Sequence, residues 1–204
     1  WVVRLIVFWG INMKIGFAIT SSYCTIEKIM KNVLELVELG YDVVPIASPG
    51  VINCDTRFGK GKDFKEVLER ITGNSVVSSI IDAERFGPSE KLDLLVVAPA
   101  TGNFIAKLAH GITDSPVTMA TKATLRNGSP IVIGVSTNDG LGLNGENIMK
   151  LLNTKNIYFV PFGQDNYVNK PNSLISHFDM LVPTIESALE DKQIQPVLKE
   201  YKKK

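Results

Sequence analysis

The chain has 204 residues, of which 45% are hydrophobic and 21% are charged, and this length and composition are typical of one globular domain. The formal net charge of +1 gives no support to a polyanion-binding face, so no nucleic-acid partner is expected. The two cysteines, Cys24 and Cys54, form no C-x-x-C pair and have no histidine nearby; we therefore predict no metal site and expect both thiols to be reduced.

The first twelve residues are apolar but too short to span a bilayer. They also lack a small-x-small cleavage site before the next predicted strand. We interpret 1–12 as an N-terminal extension, with an extra strand or a membrane-associated segment as the alternatives. Residues 13–204 are then predicted to form a single domain, with no membrane partner.

Strand and helix signals alternate along the rest of the chain. Apolar runs predict strands at 14–19, 42–47, 92–98, 130–135 and 156–161. Apolar residues at helical spacing predict helices at 25–39, 63–72, 103–110, 117–125 and 145–152. The segment 51–62 is expected to be a loop, 78–82 a short strand or extended link, and 187–204 a weakly helical tail.

This alternation predicts an α/β fold of three layers, with a parallel sheet covered by helices on both faces. The run 92–98 shows no polar alternation, which is typical of a strand buried on both sides. Pro45 indicates that the second strand lies at an edge or ends there. Because ligands of such sheets bind beyond the carboxyl ends of the strands, we expect the chemistry in the loops that follow them.

The first strand ends in a run of hydroxyl residues, ITSSYCT at 19–25, with neither a dinucleotide G-x-G-x-x-G fingerprint nor a Walker loop. Such a run at a helix N-terminus is consistent with an anion site and equally with simple N-capping. The ASPG segment at 47–50 reads as a turn.

The stretch 98–118, APATGNFIAKLAHGITDSPVT, carries more information. Its small residues would let a flat ring lie against the backbone, while Thr101 and Asn103 can hydrogen-bond a ligand or cap a helix. Asp114, Ser115 and Thr118 begin another helix. Two helix N-termini near one strand end point to an anionic cofactor.

This stretch resembles the Pro-Ala-Ser-Ala-Asn-Thr signature of the homo-oligomeric flavin-containing cysteine decarboxylases and their relatives. Pro99, Ala100, Thr101 and Asn103 match it, and Gly102 replaces the usual alanine. The resemblance covers about 14–163 and implies a flavodoxin/Rossmann-like flavoprotein fold, a homo-oligomer and bound FMN. Carried over position by position, it implies these cofactor-binding residues: Thr20, Ser21, Ser48, Pro99, Ala100, Thr101, Asn103, Ser115, Thr118, Ser136 and Asn138.

Three departures argue against decarboxylation of a cysteinyl substrate. The segment 81–91 contains no histidine, only Asn138 remains of the family's Pro-x-Met-Asn motif, and 163–175 has no cysteine. With GFAITSSYCT and STNDGLGLNGENI, the chain is similar to the B subunits of dipicolinate synthases, a branch of this family.

That resemblance implies oxidation of dihydrodipicolinate to dipicolinate with a partner, the synthase's A subunit, which carries a nicotinamide-type dinucleotide fold and through it NADP. It implies the cytoplasm of the mother cell of a sporulating bacterium as the location. The alternatives are a non-catalytic subunit that stabilises the A subunit, and an FMN-dependent decarboxylase.

Other polar residues have two interpretations each, and no catalytic base is assigned. Arg57, beside Lys60 and Lys62, would suit a small dicarboxylate substrate, or belong to a solvated loop. His110 ends a predicted helix, where it either contacts substrate or caps and packs. The interpretation is similarly open, between function and a capping or exposed role, for His177, Asp139 and Glu146.

Overall fold

The structure is a computed structural model that describes residues 13–199, so the predicted extension at 1–12 lies outside the described part. The strands are β1 Lys14–Ile19, β2 Asp42–Ala47, β3 Leu94–Ala100, β4 Ile131–Thr137, β5 Ile157–Phe159, β6 Phe162–Gln164 and β7 Leu174–Ser176. The helices are α1 Tyr23–Glu38, α2 Pro49–Asn53, α3 Gly61–Thr72, α4 Ile80–Glu84, α5 Gly102–Ala109, α6 Pro116–Arg126, α7 Asn144–Leu152 and α8 Leu181–Leu189.

The strands form one sheet in the order β2-β1-β3-β4-β7-β6, with β5 also pairing with β4. Strands β1 to β5 pair in parallel, as the alternation of strands and helices predicts. The sheet divides at β4, because Ile131–Ile133 pair with β5 while Ser136 and Thr137 pair with the antiparallel β7. The strands β6 and β7 were not predicted from the sequence, because three residues each are too few for a periodic signal.

Both faces of the sheet are buried under helices, which confirms the three-layer prediction. In β3 every residue is buried. Leu95 and Val97 face one core, with side chains of α4, α5, α6 and α7. Leu94 and Val96 face the other core, with side chains of α1, α3 and α8. Each such buried Leu or Val stabilises the fold by roughly 1.5–3 kcal/mol.

Two local predictions for the chain before β3 were wrong. The predicted loop 51–62 contains most of α2 and the start of α3, because proline at the first position of α2 favours the helical φ. The segment 78–82, predicted to be a short strand or an extended link, instead runs into α4, whose N-cap Ser79 accepts a hydrogen bond from the Asp82 N–H at 3.0 Å. The extended residue there is Val77, which donates its N–H to the Pro45 carbonyl of β2 at 2.9 Å.

Of the predicted weakly helical tail 187–204, residues 187–189 are the end of α8, a strap without helix follows at 190–199, and 200–204 lie outside the described part. The Gln193 side chain lies against β5, where its Oε1 accepts the Phe159 N–H at 2.8 Å and its Nε2 donates to the Phe159 carbonyl at 2.8 Å. Further on, the Phe162 N–H of β6 donates to the Val197 carbonyl at 3.0 Å. The strap therefore satisfies backbone groups of β5 and β6 that would otherwise lack partners.

Candidate cofactor site

The ends of β1 and β3 are joined through the hydroxyl of Thr20. This buried hydroxyl donates to the Pro99 carbonyl at 2.6 Å and accepts the Thr101 N–H at 3.0 Å. The Thr101 hydroxyl in turn accepts the Phe104 N–H at 3.4 Å and so caps α5. Thr20 and Thr101 therefore fix the positions of the two central loops relative to each other.

A second hydroxyl pair joins the loops that follow β1 and β2. The Ser21 and Ser48 hydroxyl oxygens lie 3.2 Å apart. Ser48 precedes α2 but makes no side-chain capping bond to that helix. A side chain at Gly50 would place its Cβ 2.5 Å from the Ser21 hydroxyl, so glycine leaves room for the pair. These two hydroxyls are directed to each other and not to their own helices.

A third cluster, which the sequence did not identify in full, joins the end of β1 to the end of β4. The Ser136 hydroxyl lies 2.9 Å from that of Ser22 and 3.1 Å from that of Thr25. Ser22 precedes α1 without a side-chain capping bond, so the capping interpretation of this run does not hold for α1. Ser22 and Thr25 were missed as individual residues, although both lie in the hydroxyl-rich run that drew attention to this loop.

Behind the start of α5 lies a polar network centred on Asp139. Its carboxylate accepts hydrogen bonds from the Thr137 hydroxyl and, at 2.7 Å, from the Asn144 side-chain amide. The Asn147 amide donates to Asn144 at 3.0 Å. Because each carboxylate oxygen is engaged, Asp139 is better suited to holding the loop after β4 than to accepting a proton from a ligand.

The other residues implied by the resemblance fall into two groups. Pro99 follows a cis peptide bond and, with the buried Ala100, ends β3, while Asn103 and Asn138 are exposed beside the strand ends. Ser115 and Thr118 form a reciprocal capping box at α6, beyond the far end of α5, whose eight residues are about 12 Å long. The structure thus does not hydrogen-bond this pair to the strand-end hydroxyls, and a cofactor role for it stays a prediction.

The two candidate substrate residues, Arg57 and His110, form their side-chain contacts with neighbouring residues and not with these hydroxyls. His110 is the exposed C-cap of α5, and its ring Nδ1 lies 2.8 Å from the Ala106 carbonyl, as the capping interpretation expects. The exposed Arg57 guanidinium lies 4.8 Å from the centre of the Phe58 ring. No group of three potential metal-ligating side chains occurs within 13–199.

The arrangement at the carboxyl edge of the sheet suits a phosphate attached to a flat ring. Helices α1, α2 and α5 all begin at this edge, and their N-termini favour negative charge. The hydroxyl pair Ser21–Ser48 offers donors to an anion, while Ala100 and Gly102 bring the backbone of the β3 end close to any ring placed there. The residues present therefore fit a flavin nucleotide.

Comparison with known proteins agrees with this geometry. The family model described as Flavoprotein matches residues 10–162. The B subunit of dipicolinate synthase from Bacillus subtilis (strain 168) is 50% identical over 187 residues, which are 92% of this chain and 94% of that protein. A crystal structure of the dipicolinate synthase B subunit from Bacillus halodurans C superposes with a TM-score of 0.85 at 50% identity and covers 92% of this chain and 96% of that one.

More distant relatives share the fold. The FMN-dependent cysteine decarboxylase SpaF superposes with a TM-score of 0.59 at 20% identity, with 87% of this chain and 95% of that one covered. No helix within residues 13–199 has the length and apolar character needed to cross a membrane. From the family match and the 50% identity along nearly the whole of both chains, the protein belongs to the Flavoprotein family and, within it, to the group of dipicolinate synthase B subunits.

Proposed function

We propose that this chain acts as the B subunit of a dipicolinate synthase and takes part, with the A subunit, in the oxidation of dihydrodipicolinate to pyridine-2,6-dicarboxylate. The proposal is supported by the 50% identity over 94% of a protein with that name. The structural observation that carries it is the meeting of hydroxyls from four loops, seen in the pairs Thr20–Thr101, Ser21–Ser48 and Ser22–Ser136.

FMN is the cofactor that we propose for this edge. Ser21 and Ser48, with the start of α2, would hold the phosphate, and the backbone from Ala100 to Asn103 would lie against the ring. When bound, FMN supplies a two-electron acceptor. We assign the phosphate here because the Ser21 and Ser48 hydroxyls cap no helix and hydrogen-bond only to each other. A charged acceptor would take hydrogen bonds from both.

The reaction removes two hydrogens from the dihydropyridine ring, one as a hydride and one as a proton, and the ring becomes aromatic. The contribution of this chain is to bind and orient the substrate. We propose that the amides of Asn103 and Asn138, which are exposed, donate to a substrate carboxylate at the same edge. The alternative hydride acceptor is NADP on the A subunit, in which case this chain would complete the site without carrying the electrons.

The remaining parts of the proposal follow from the same group membership. We propose that 13–204 function as one flavoprotein-like domain, that the chain forms homo-oligomers, and that it works in the cytoplasm of the mother cell during sporulation. Its proposed partners are a small dicarboxylate and the A subunit.

The test is reconstitution. The purified chain is titrated with FMN, followed by flavin absorbance and fluorescence, and then assayed on dihydrodipicolinate with and without the A subunit, adding FMN or NADP in turn. We expect FMN to bind, and expect the double variant Ser21→Ala/Ser48→Ala to bind it about tenfold or more weakly, since each charge-assisted hydrogen bond contributes roughly 1.5–3 kcal/mol. Ser187→Ala on α8 is the matched control.

Two results would contradict the proposal in different ways. A chain that takes up no FMN, yet raises the activity of the A subunit, would favour the non-catalytic alternative. Decarboxylation of a carboxylated thiol substrate would favour the decarboxylase alternative, which we do not expect because 81–91 lacks a histidine.

A further inference from the structure

A depression with a volume of about 470 Å³ lies between α4 and α6. Both helices lead into the starts of sheet strands, α4 into β3 and α6 into β4. Their C-terminal ends, and the depression beside them, are therefore directed to the amino edge of the sheet, opposite to the candidate cofactor site. A volume of this size falls within the range of about 300–1,000 Å³ that is typical of small-molecule sites.

The charges bordering this depression are predominantly positive. Arg85, Lys122 and Arg126 line it together with one carboxylate, Glu84, so that three positive charges and one negative charge leave an excess of two positive charges. Arg85 makes one long ion-pair contact, 3.7 Å from the half-buried Glu90, and its guanidinium lies 5.4 Å from the centre of the Phe86 ring. Within residues 13–199, neither Lys122 nor Arg126 forms an ion pair.

Lys122 and Arg126 are also neighbours on one face of α6, four residues apart. Like charges at this spacing repel each other and weaken the helix slightly. Two adjacent cations without an acidic partner suit an anionic ligand, although Arg126 also lies in the last turn of α6, where the helix dipole favours a positive charge. A bound anion would remove the repulsion.

The guanidinium of Arg126 lies close against the turn after α4. An added Cβ at Gly87 would lie 2.1 Å from the Arg126 Nη2 atom, so only glycine at this position allows the side chain to lie where it does. The next residue of the chain, Asn127, donates its amide to the Phe86 carbonyl at 2.9 Å and fastens the end of α6 to the same turn.

From this arrangement we propose that the depression is a binding site for a small dianion with a flat or apolar body. Arg126 and Lys122 would bind the acidic groups, with Arg85 at the opposite wall. Apolar contact would come from Pro88, Met119 and Ile81, whose side chain is 82% exposed. The site is separate from the candidate cofactor site and does not depend on the proposed function.

The experiment uses the full chain in the presence of FMN and titrates it calorimetrically with pyridine-2,6-dicarboxylate, with inorganic phosphate and with uncharged pyridine. We expect the dicarboxylate to bind more tightly than either of the others. The double variant Lys122→Gln/Arg126→Gln should weaken it at least about tenfold. Gly87→Ala, which removes no charge but displaces the guanidinium, should also weaken it. Arg70→Gln, which alters a cation in the last turn of α3, is the matched control and should change binding less than about twofold.

Unchanged thermal unfolding of the variants without ligand would show that they are folded. The proposal is overturned if the wild-type chain does not bind the dicarboxylate, or if phosphate binds as tightly. It is equally overturned if the dicarboxylate binds the double variant as well as the wild type, since that ligand would then occupy another site. Equal binding to the double variant would not contradict the proposed function, because the dicarboxylate could then be bound at the substrate site on the opposite edge of the sheet.

Discussion

Replacing Gly102 with alanine should destabilise the protein, although alanine is the better helix former. Gly102 is buried at the start of α5. An added Cβ would lie 2.6 Å from the Asn144 side-chain nitrogen and 2.7 Å from oxygens of Asp139 and Thr137. All three atoms belong to the hydrogen-bonded network behind the β3 end, so none can move without breaking a bond.

Two effects of opposite sign decide the magnitude. Alanine gains at most about 1 kcal/mol over glycine in a helix, and less at a first-turn position. Overpacking of this kind costs about 1–3 kcal/mol, and displacement of the Asp139 network adds to it. We therefore expect a net loss of about 1–2 kcal/mol, which for a chain of this size lowers the melting temperature by roughly 2–4 °C for each kcal/mol.

The assay is thermal and urea unfolding of Gly102→Ala beside Gly142→Ala, a control whose added Cβ would meet nothing closer than 3.4 Å. A double-mutant cycle of Gly102→Ala with Asn144→Ala should show coupling above about 0.5 kcal/mol, because the second change removes one of the clashing atoms. A Gly102→Ala protein as stable as the wild type would refute the reasoning, and so would the absence of coupling.

Three further predictions concern stability. Thr20→Val should cost about 1–3 kcal/mol in urea unfolding, because the Thr101 N–H loses its acceptor and the Pro99 carbonyl keeps only the 3.3 Å bond from the Thr20 N–H; a loss below about 1 kcal/mol would contradict this. Burial, and then the charge of Asp191, raise the pKa of Tyr158 above its usual value of 10.0. The buried neutral phenol therefore contributes its full stabilisation below about pH 10, and this stabilisation is lost as the pH rises through the pKa of the folded state. The urea midpoint should fall over this alkaline range, and the fall should be smaller in Tyr158→Phe. Gln193→Ala should cost about 1–3 kcal/mol in the same assay, since it removes both hydrogen bonds to the β5 backbone; retention of wild-type stability would show that water replaces the amide.

The sequence predicted the parallel core closely, because its strands are buried on both faces and carry an uninterrupted apolar signal. The bounds of β1 and β2 match the predicted 14–19 and 42–47. Short elements were not predictable in this way. The strands β6 and β7 are stabilised by pairing with each other and with β4, a tertiary effect that three residues cannot encode locally.

For the candidate site, the sequence indicated the correct loops but not the partners within them. Ser136 lies 114 residues from Ser22, so their contact depends on the order of the strands and on no local pattern. The polar contacts of Gly102 were equally hidden, since a glycine in a sequence does not reveal what would meet its side chain. A hydroxyl-rich run predicts a ligand-binding loop, but which hydroxyls pair with one another can be known only from the folded structure.

The Gln193 side chain has a consequence for how copies of the chain can associate. β5 has three residues and β4 on one side only, so its other side is an open edge of the kind through which sheets recruit a foreign strand. The glutamine amide presents one acceptor and one donor to Phe159, as an incoming backbone would. At Phe159 the glutamine side chain therefore occupies the backbone groups through which β5 could pair with a strand of a second molecule.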